Sequence, residues 1–386
     1  MVIVKHFSKG RSVSLPHGIA QQLSGLVFNK EFWLAENVTW KDLENNPDDG
    51  IYKAQPADLW AVFPTAIVIF IARHLFENFV AKPFAQYHGV SEKKAYATPN
   101  PHLERIYRQS SYPSQHVVEQ AVKQTDLTEK QVQRWLRRRR NQSRPTDMTK
   151  FTETAWRCFF YVAIFIYGLC TLYNKSYLWD VKDCWRGHPF QHVTNDVYWY
   201  YVIEIGFYVT LLFSQFADVQ RKDFWGQFLH HIATISLLCF SWFVNFVRVG
   251  SLILCLHDAA DYLLEGAKLF KYLNKRLLCD ITFGIFTLMW AVTRLTMYPY
   301  VILWTTIVDA SAIAGFSTAL YVFNFLLGIL QVLHCYWFVM IMTVAIRAIT
   351  AGKVEKDVRS ASEESDDDSV TNHSPDVTNQ SQSSSH

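Results

Sequence analysis

The sequence predicts an all-α, polytopic membrane protein with about seven transmembrane helices and a small helical module on its cytosolic side. Hydrophobic residues make up 50% of the 386 residues and aromatic residues 16%, whereas charged residues make up only 18%. The charges gather at the two ends of the chain and between residues 92 and 150. The rest of the chain therefore contains several apolar runs near the ~20 residues that an α-helix needs to cross a bilayer.

These apolar runs define the elements in order. We predict spans at residues 59–81, 156–174, 197–217, 228–247, 250–270, 278–298 and 318–345. The chain then divides into a lumenal N-terminal segment (1–58), a first transmembrane helix (59–82) and a cytosolic insert (83–150). A membrane domain with six further helices (151–350) and a polar tail (351–386) follow.

Loop charges predict the direction of the spans. The segment before the first span, "DLENNPDDGIYKAQPAD", is acidic, whereas Arg73, Lys82, Lys93 and Lys94 follow that span. Because cytosolic loops carry an excess of lysine and arginine, the N-terminus should be lumenal and, after an odd number of spans, the C-terminus cytosolic. Asn37 in "ENVTW" is then the expected glycan acceptor.

The segment after residue 350 is rich in serine and acidic residues and contains few apolar ones, so we expect it to be disordered. Ser360 and Ser365 each have an acidic residue three places further on, as acidophilic kinases prefer. We predict phosphorylation at these two serines. The alternative is a tail that only improves solubility.

The insert contains "QHVVEQAVKQTDLTEKQVQRWLRRRRNQSRP", which resembles the second half of a homeodomain. Val132, Trp135 and Leu136 should form the apolar face of its last helix. Sequence-specific DNA binding is not expected, because Arg138 stands where a homeodomain has the asparagine that reads adenine. The segment in the place of the first helix is also short, and the module is tethered between two spans. The arginine cluster from Arg137 could instead contact anionic membrane lipid or a nucleotide phosphate.

A polar stripe crosses the predicted span that contains "CLHDAADYLLEG". A charge in hydrocarbon costs ~2.5–3.5 kcal/mol or more, so ionisable residues in a span indicate a structural or functional role. At 100° per residue, five of them share one helix face. They are His257, Asp258, Asp261, Glu265 and Lys268. Such a stripe predicts that this face lines a bundle interior or a water-filled cavity.

The preceding span, "FLHHIATISLLCFSWFVNFVRVG", carries two adjacent histidines, which point about 100° apart. The residues that share a face with His230 are polar, namely Thr234, Ser241 and Asn245. Those that share a face with His231 are apolar, namely Ile235, Leu238 and Trp242. His230 is therefore expected to face the polar interior, and His231 to pack behind it.

A short turn near Arg248 should make these two helices antiparallel neighbours. Counting rise per residue then pairs His230 with Asp261 or Glu265, toward the cytosolic half. A histidine–aspartate pair that only holds helices together is one alternative. A metal site is another, but the histidine-box spacings of membrane di-iron enzymes are absent, and the pair His188 and His192 lies in a lumenal loop. We expect no metal.

The two spans together look like the Lag motif of ceramide synthases, which lies inside a TLC domain. The similarity covers nearly the whole chain, including "ENVTW", the homeodomain-like insert, "KFTETAWRCFFY" and "GKVEKDVRS". The resemblance implies N-acylation of a sphingoid base, sphinganine or sphingosine, by fatty acyl-CoA in the endoplasmic reticulum membrane. Acyl-CoA is then a substrate, and no cofactor is expected. The residues at the family's essential positions are His230, His231, His257, Asp258 and Asp261.

This chemistry requires a general base, because the amine must lose a proton as it attacks the thioester. His230 is either a nucleophile that forms an acyl-imidazole or a base in direct transfer, and we favour the covalent route because it lets CoA leave first. Asp261 would orient the imidazole or accept the amine proton. Further substrate contacts are expected from Thr234, Ser241, Asn245 and Glu265. Candidate contacts to the CoA phosphates are Arg221, Lys222, Lys271, Lys275 and Arg276.

The apolar segment "YPYVILWTTIVDASAIAGF", residues 298–316, is predicted to fold back as a loop and to cap the far end of an acyl tunnel. The alternative is an interfacial aromatic anchor made by Tyr298, Tyr300 and Trp304. Two other classes of function stay open at this point. A lipid transporter or sensor would use the polar stripe to hold a head group, and a proton-coupled carrier is the more remote alternative. Association as a homodimer or heterodimer is compatible with the sequence.

Overall fold

A computed structural model describes residues 29–35, 38–45, 50–92, 96–219 and 222–351. Ten longer helices occur in these ranges, no strand does, and the all-α prediction is confirmed. The predicted sites Asn37, Arg221, Ser360 and Ser365, and the tail after residue 351, lie outside the described residues. The helices are α1 (Pro56–Tyr87), α2 (Pro101–Gln109), α3 (Gln115–Gln124), α4 (Glu129–Ser143), α5 (Asp147–Leu172), α6 (Asn195–Ser214), α7 (Phe224–Phe243), α8 (Val247–Tyr272), α9 (Arg276–Ile313) and α10 (Thr318–Ala351).

Local sequence signals set several helix ends. Asn100 caps α2, accepting hydrogen bonds from the backbone of His102 and Leu103. Thr128 begins α4 with a capping box. The turn between α7 and α8 is only three residues long, since Asn245 adopts φ 58°, a left-handed conformation that asparagine tolerates better than most residues. That turn makes α7 and α8 antiparallel neighbours, as predicted.

Helices occupy all seven predicted spans. Five of the described helical segments are long and apolar enough to cross a membrane, and they contain α1, α5, α6, α9 and α10. The other two, α7 and α8, are 20 and 26 residues long and carry the histidines and carboxylates of the polar stripes. Helix α8 packs along α5 on one side and α9 on the other, while α7 packs between α6 and α10. The two polar helices therefore lie against apolar ones on both sides.

Two ends of the bundle can be distinguished. At the insert end, Ala85 of α1, Phe151 of α5 and Tyr272 of α8 pack around one apolar cluster. At the opposite end, Trp185 packs edge-on against Phe246, next to α10. His188 lies in this second region and hydrogen-bonds the carbonyl of Val244 at 2.8 Å. Burial lowers the pKa of His188 to about 4, which keeps it neutral.

The insert forms three helices around its own small core. Val132, Trp135 and Leu136 are all buried, as predicted, against Leu103 of α2 and Val118 of α3. The segment in the place of the first homeodomain helix, although short, does form a helix of nine residues. The module therefore has a three-helix core of its own.

Residues 298–316 were expected to form a loop, and this prediction is wrong. Helix α9 continues to Ile313, and Gly315, with φ 86°, lies in the short link to α10. Pro299 lies within a stretch with π-helical hydrogen bonding, where the wider turn accommodates a residue that lacks an N–H. Tyr298 is fully buried rather than interfacial, whereas Tyr300 and Trp304 are exposed.

Candidate functional site

A polar cavity of about 140 Å³ opens between the helices at the insert end of the bundle. Its walls bring both histidines of α7 together with two carboxylates of α8 and with side chains of α9 and α10. It extends to Gln215 and Asp218 just after α6 and to Phe224 at the start of α7. The acidic, basic and histidine residues that line it are Arg157, Asp218, His230, His231, Asp261, Glu265, Arg294 and His334.

A second cavity is a narrow apolar slot of about 50 Å³ that runs toward the opposite end. His230 and Tyr208 line both cavities, so the two meet at these residues. Thr234 and Ser241 lie along the slot, as expected for residues on the same face as His230. The side chains toward its far end are mostly large and apolar: Trp185, Phe246, Leu320, Phe323 and Leu327. His230 thus stands between a polar chamber and an apolar slot.

The adjacent histidines have different surroundings. His230 is partly exposed to the cavity, and the edge of Trp337 lies against it with ring centroids 5.4 Å apart. Its Nδ1 is buried and has no hydrogen-bond partner among the described residues. His231 is buried, 8% exposed, and packs against Tyr208. Both histidines line the polar cavity, and His230 alone of the two also lines the apolar slot.

The carboxylates expected to pair with His230 have other partners. Asp261 accepts a hydrogen bond of 2.6 Å from Nη2 of Arg294 on α9. Glu265 accepts one of 2.9 Å from Lys268 and lies 3.5 Å from Arg157 of α5. Both line the same cavity as His230 without bonding its Nδ1. The histidine and the carboxylates converge on one space, but neither carboxylate bonds Nδ1 of His230.

Arg294 links two sides of the site. Its Nη2 also bonds the backbone carbonyl of His257 at 2.8 Å, and its guanidinium lies over the ring of Trp290. The side chain is only 3% exposed. Its Nη1 is buried and has no partner in the described part of the chain. A buried guanidinium N–H without an acceptor is costly, and an anionic oxygen in the cavity is the kind of group that could accept from it.

Asp258 points away from the cavity, toward α6. It is fully buried and accepts a hydrogen bond of 3.1 Å from the hydroxyl of Tyr200. The carboxyl group of Glu204, one turn further along α6, lies within hydrogen-bonding reach of Asp258. The bond between Asp258 and Tyr200, with the buried Glu204 beside Asp258, forms a polar contact between α6 and α8. Asp258 therefore lies behind the cavity, not in its wall.

His257 points to a third helix. Its Nε2 lies 3.0 Å from Nε2 of His334 on α10, and its Nδ1 lies 2.7 Å from the carbonyl oxygen of Ile253. Tyr298 of α9 packs edge-on against both rings. His334 is 1% exposed and lines the polar cavity. His334, which the sequence did not point to, is therefore hydrogen-bonded to His257, which it did.

An ion-pair network borders the cavity at the insert end. Arg73 of α1 bonds Asp218 at 2.7 Å, and Arg157 lies 3.8 Å from the same carboxylate. On the facing wall, Asp223 accepts a hydrogen bond from the indole N–H of Trp337 at 3.0 Å, which fixes the ring that contacts His230. The mouth of the cavity is thus built from paired charges.

Other predicted residues lie outside both cavities. Asn245 closes the α7–α8 turn and donates to the carbonyls of Pro189 and Gln191, so it supports the fold rather than the site. The described lysines and arginine proposed for CoA phosphates lie near the insert end, with Lys222, Lys275 and Arg276 exposed and Lys271 half-buried. No group of three or more His, Cys, Asp or Glu side chains with metal-site geometry occurs in the described ranges.

Arg294 and His334, which line the cavity, and Glu204, which lies behind it, are among the ionisable residues that were missed from the sequence. Each lies within an apolar span, and an ionisable residue there is a functional-site candidate by default. That signal was available for all three. It was passed over because each occurs singly, without the periodic stripe that marks α8.

Comparison with known proteins gives two family matches. The TLC domain family matches residues 150–343, and the homeodomain family matches residues 100–145. The chain is 44% identical to ceramide synthase 5 of Homo sapiens over 350 residues, 89% of each chain. It is 39% identical to ceramide synthase 4 of Mus musculus, over 92% of this chain and 91% of the relative. It is 40% identical to ceramide synthase 3 of Homo sapiens, over 87% of each chain.

Proposed function

Because this chain belongs to the ceramide synthases of the TLC domain family, we propose that it transfers a fatty acyl group from acyl-CoA to the amine of sphinganine or sphingosine. The observation that carries the proposal is the junction of the two cavities at His230. The reaction joins a polar, water-soluble donor to a product with two lipid chains. A polar chamber suits the CoA part of the donor, and an apolar slot suits a lipid chain.

We place the thioester at His230, with CoA extending toward the insert end and the acyl chain in the slot. His230 attacks the carbonyl carbon, the carbon–sulfur bond breaks, and CoA leaves as a thiol carrying the proton lost by the imidazole. The sphingoid amine then attacks the acyl-imidazole, and His230 recovers its proton as the amide forms. A covalent intermediate lets CoA leave before the second substrate binds.

Arg294 is the candidate for stabilising the charge that develops in both steps. Its buried Nη1 has no acceptor in the described part of the chain, and an oxyanion at the cavity wall would supply one. Asp261 holds the other guanidinium nitrogen in place. The role proposed for Asp261 is therefore to position Arg294.

We further propose that the protein resides in the endoplasmic reticulum membrane with its C-terminus in the cytosol. The loop charges support this orientation, and it would open the polar cavity toward the side where CoA is dissolved. The exposed basic residues at that end would then lie near the nucleotide phosphates. The hydrophobic substrates would enter from the bilayer.

The catalytic proposal is tested with purified protein in detergent. His230→Ala and Asp261→Ala should each reduce ceramide formation by at least about 1,000-fold, as losses of groups that act in the transition state do. His74→Ala, at a histidine on the outside of α1, is the matched control and should retain full activity. Incubation with acyl-CoA alone should release free CoA and add the acyl mass to the peptide that contains His230.

The outcomes separate the alternatives. Normal turnover without an adduct would rule out the covalent route and leave His230 as a base in direct transfer. Binding of sphingoid base without any CoA release would instead favour a lipid sensor or transporter.

A further inference from the structure

The hydrogen bonds around His334 leave its Nδ1 without a partner among the described residues. The residue lies in the middle of α10, is 1% exposed and lines the polar cavity together with His230. Trp290 and Tyr298 each pack edge-on against its ring. The ring is therefore held in one orientation, and the state of its two nitrogens follows from its neighbours.

The proton positions can be worked out from the contact with His257. Nδ1 of His257 lies 2.7 Å from the carbonyl oxygen of Ile253, and because a carbonyl only accepts, this nitrogen carries the proton. In a neutral ring, Nε2 of His257 is then an acceptor. Nε2 of His334, 3.0 Å away, must be the donor. Nδ1 of His334 is consequently left with a lone pair.

A neutral pair fits its surroundings, because Arg294 already places a positive charge at the backbone carbonyl of His257. Nδ1 of His334 is buried and has no hydrogen-bond partner within the described ranges. A buried lone pair at the wall of a polar cavity is costly unless a donor reaches it. The sphingoid amine is a donor of this kind, and the reaction requires that it lose a proton.

We propose, on the basis of the acyl-transfer function above, that Nδ1 of His334 is the general base for the second half of the reaction. The amine nitrogen forms a bond to the carbonyl carbon of acyl-His230, and the bond from that carbon to the imidazole breaks. The proton leaving the amine moves to Nδ1 of His334. His334 then returns one proton to the imidazole of His230, so both histidines end neutral and the step balances.

The bond between the two other nitrogens supports this role. When Nδ1 of His334 accepts a proton, its Nε2–H still donates to His257, and the positive charge strengthens that hydrogen bond. His257 is thus a positioning residue for His334. In this role His257 acts on His334 and has no contact with the substrate.

The test separates the two half-reactions. His334→Gln keeps an amide N–H near the position of Nε2 and removes the basic nitrogen. The acyl adduct on His230 should form at a rate within about threefold of the unaltered protein. Its discharge by sphinganine should slow at least about 100-fold, the range that general bases contribute. Discharge by hydroxylamine, which is unprotonated at neutral pH and attacks without a base, should change by less than about threefold.

Two further measurements guard against a merely structural effect. His74→Gln, the same substitution outside the site, should leave both half-reactions unchanged. In His334→Ala, added imidazole should restore discharge by sphinganine, since it can occupy the space of the missing ring. Equal slowing of acylation and discharge, equal slowing with hydroxylamine, or absence of imidazole rescue would each overturn the assignment.

A failure of the proposed covalent route can be distinguished from a failure of the proposed base. If the unaltered protein forms no adduct, sphinganine and hydroxylamine are compared as acceptors in steady-state turnover. A loss in His334→Gln confined to sphinganine would still support the base, and an equal loss with both acceptors would refute it.

Discussion

Arg294 shows how a single residue can join separate parts of a site. It is bonded to the side chain of Asp261 and the backbone of His257, and it stacks on Trp290 of its own helix. Arg294 is only 3% exposed, so removing Asp261 would leave a buried charge without its partner, which costs more than the pair itself contributes. The arginine and the aspartate are therefore expected to depend on each other, and substitutions at the two positions should not be additive.

Gly250 permits a close approach of the Tyr201 side chain of α6 to α8. A Cβ atom at this position would overlap the hydroxyl of Tyr201, which hydrogen-bonds Ser241 at 3.2 Å. Gly250→Ala should therefore destabilise the fold by about 1–3 kcal/mol, as overpacking does. Thermal unfolding in detergent measures the effect.

Gly284→Ala is the matched control, because nothing lies within 4 Å of a Cβ added there in α9. It should be neutral or stabilise by up to about 1 kcal/mol, since alanine favours the helix. Adding Tyr201→Phe to Gly250→Ala should recover part of the stability. Equal unfolding temperatures for the two alanine variants would contradict the close contact.

At the scale of elements, the arginines of α4 divide into two groups. Arg139 makes two hydrogen bonds to Glu104 of α2, at 2.8 and 3.0 Å, and Arg140 bonds the carbonyl of Ser111. Arg134 and Arg138 are exposed. Replacement of residues 137–140 together would therefore mix an effect on folding with an effect on binding.

The Glu104–Arg139 pair also has a defined pH dependence. Hydrogen bonds from Arg139 lower the pKa of Glu104. A carboxylate whose folded-state pKa is lowered contributes stability above its unfolded value, about 4.3, and loses it as the pH falls through the folded pKa. The contribution is present at neutral pH and is small, because both side chains are still 28% exposed and water screens the pair.

Single substitutions should separate the two groups. Arg138→Ala should raise the KM for acyl-CoA about two- to fivefold, since it removes one exposed charge near the predicted phosphate region, and should leave hydrogen exchange in α2 unchanged. Arg139→Ala should speed exchange in α2. Steady-state kinetics and exchange mass spectrometry of the full chain provide both readouts.

Two other results would contradict these expectations. An unchanged KM in Arg138→Ala together with lost activity in Arg139→Ala would mean that the arginines act only through the fold of the insert. Sequence-selective DNA binding by the full chain would contradict the expectation drawn from Arg138.

At the scale of the whole molecule, the apolar slot ends where α9, α10 and the α5–α6 connection meet. Trp185 donates a hydrogen bond of 2.9 Å to Thr305, and Phe323 packs against Phe246 beside it. The far end of the slot is therefore lined partly by helix α9 and partly by residues from other segments, not by a separate loop. In the proposed reaction the acyl chain occupies this slot, so the preferred chain length should depend on few side chains.

Phe323→Leu should shift the preferred acyl-CoA to chains longer by about two carbons. Each buried CH₂ contributes ~0.8 kcal/mol, so two methylenes change selectivity by about tenfold. Phe325→Leu is the matched control, since Phe325 is 69% exposed on the same helix and Phe323 only 7%. Competition between acyl-CoAs of different length measures the ratio, and an unchanged profile in an active Phe323 variant would place the determinant elsewhere.

Orientation of the bundle is tested by glycosylation. Asn37→Gln should abolish the glycosidase-sensitive shift in mobility, apart from partial use of Asn174, which is exposed at the opposite end. Asn141→Gln should have no effect, because α4 is expected in the cytosol. A glycan on Asn141 would invert the proposed topology.

The sequence by itself determined the seven spans, the apolar face of α4 in the insert and the two polar stripes, because each depends on residues a few places apart. The period of a helix places His230 away from His231, and the short turn at Asn245 makes α7 and α8 neighbours. Spacing alone was therefore enough to predict which side chains share a helix face.

Only the tertiary structure decided which partner each polar group takes. On α8, His257, Asp258 and Asp261 share one face, yet they contact α10, α6 and α9 respectively. Spacing cannot distinguish these neighbours, because every one of those helices is apolar along most of its length. The continuation of α9 through Pro299 was equally hidden, since a π-helical stretch depends on packing around the proline and not on the local pattern.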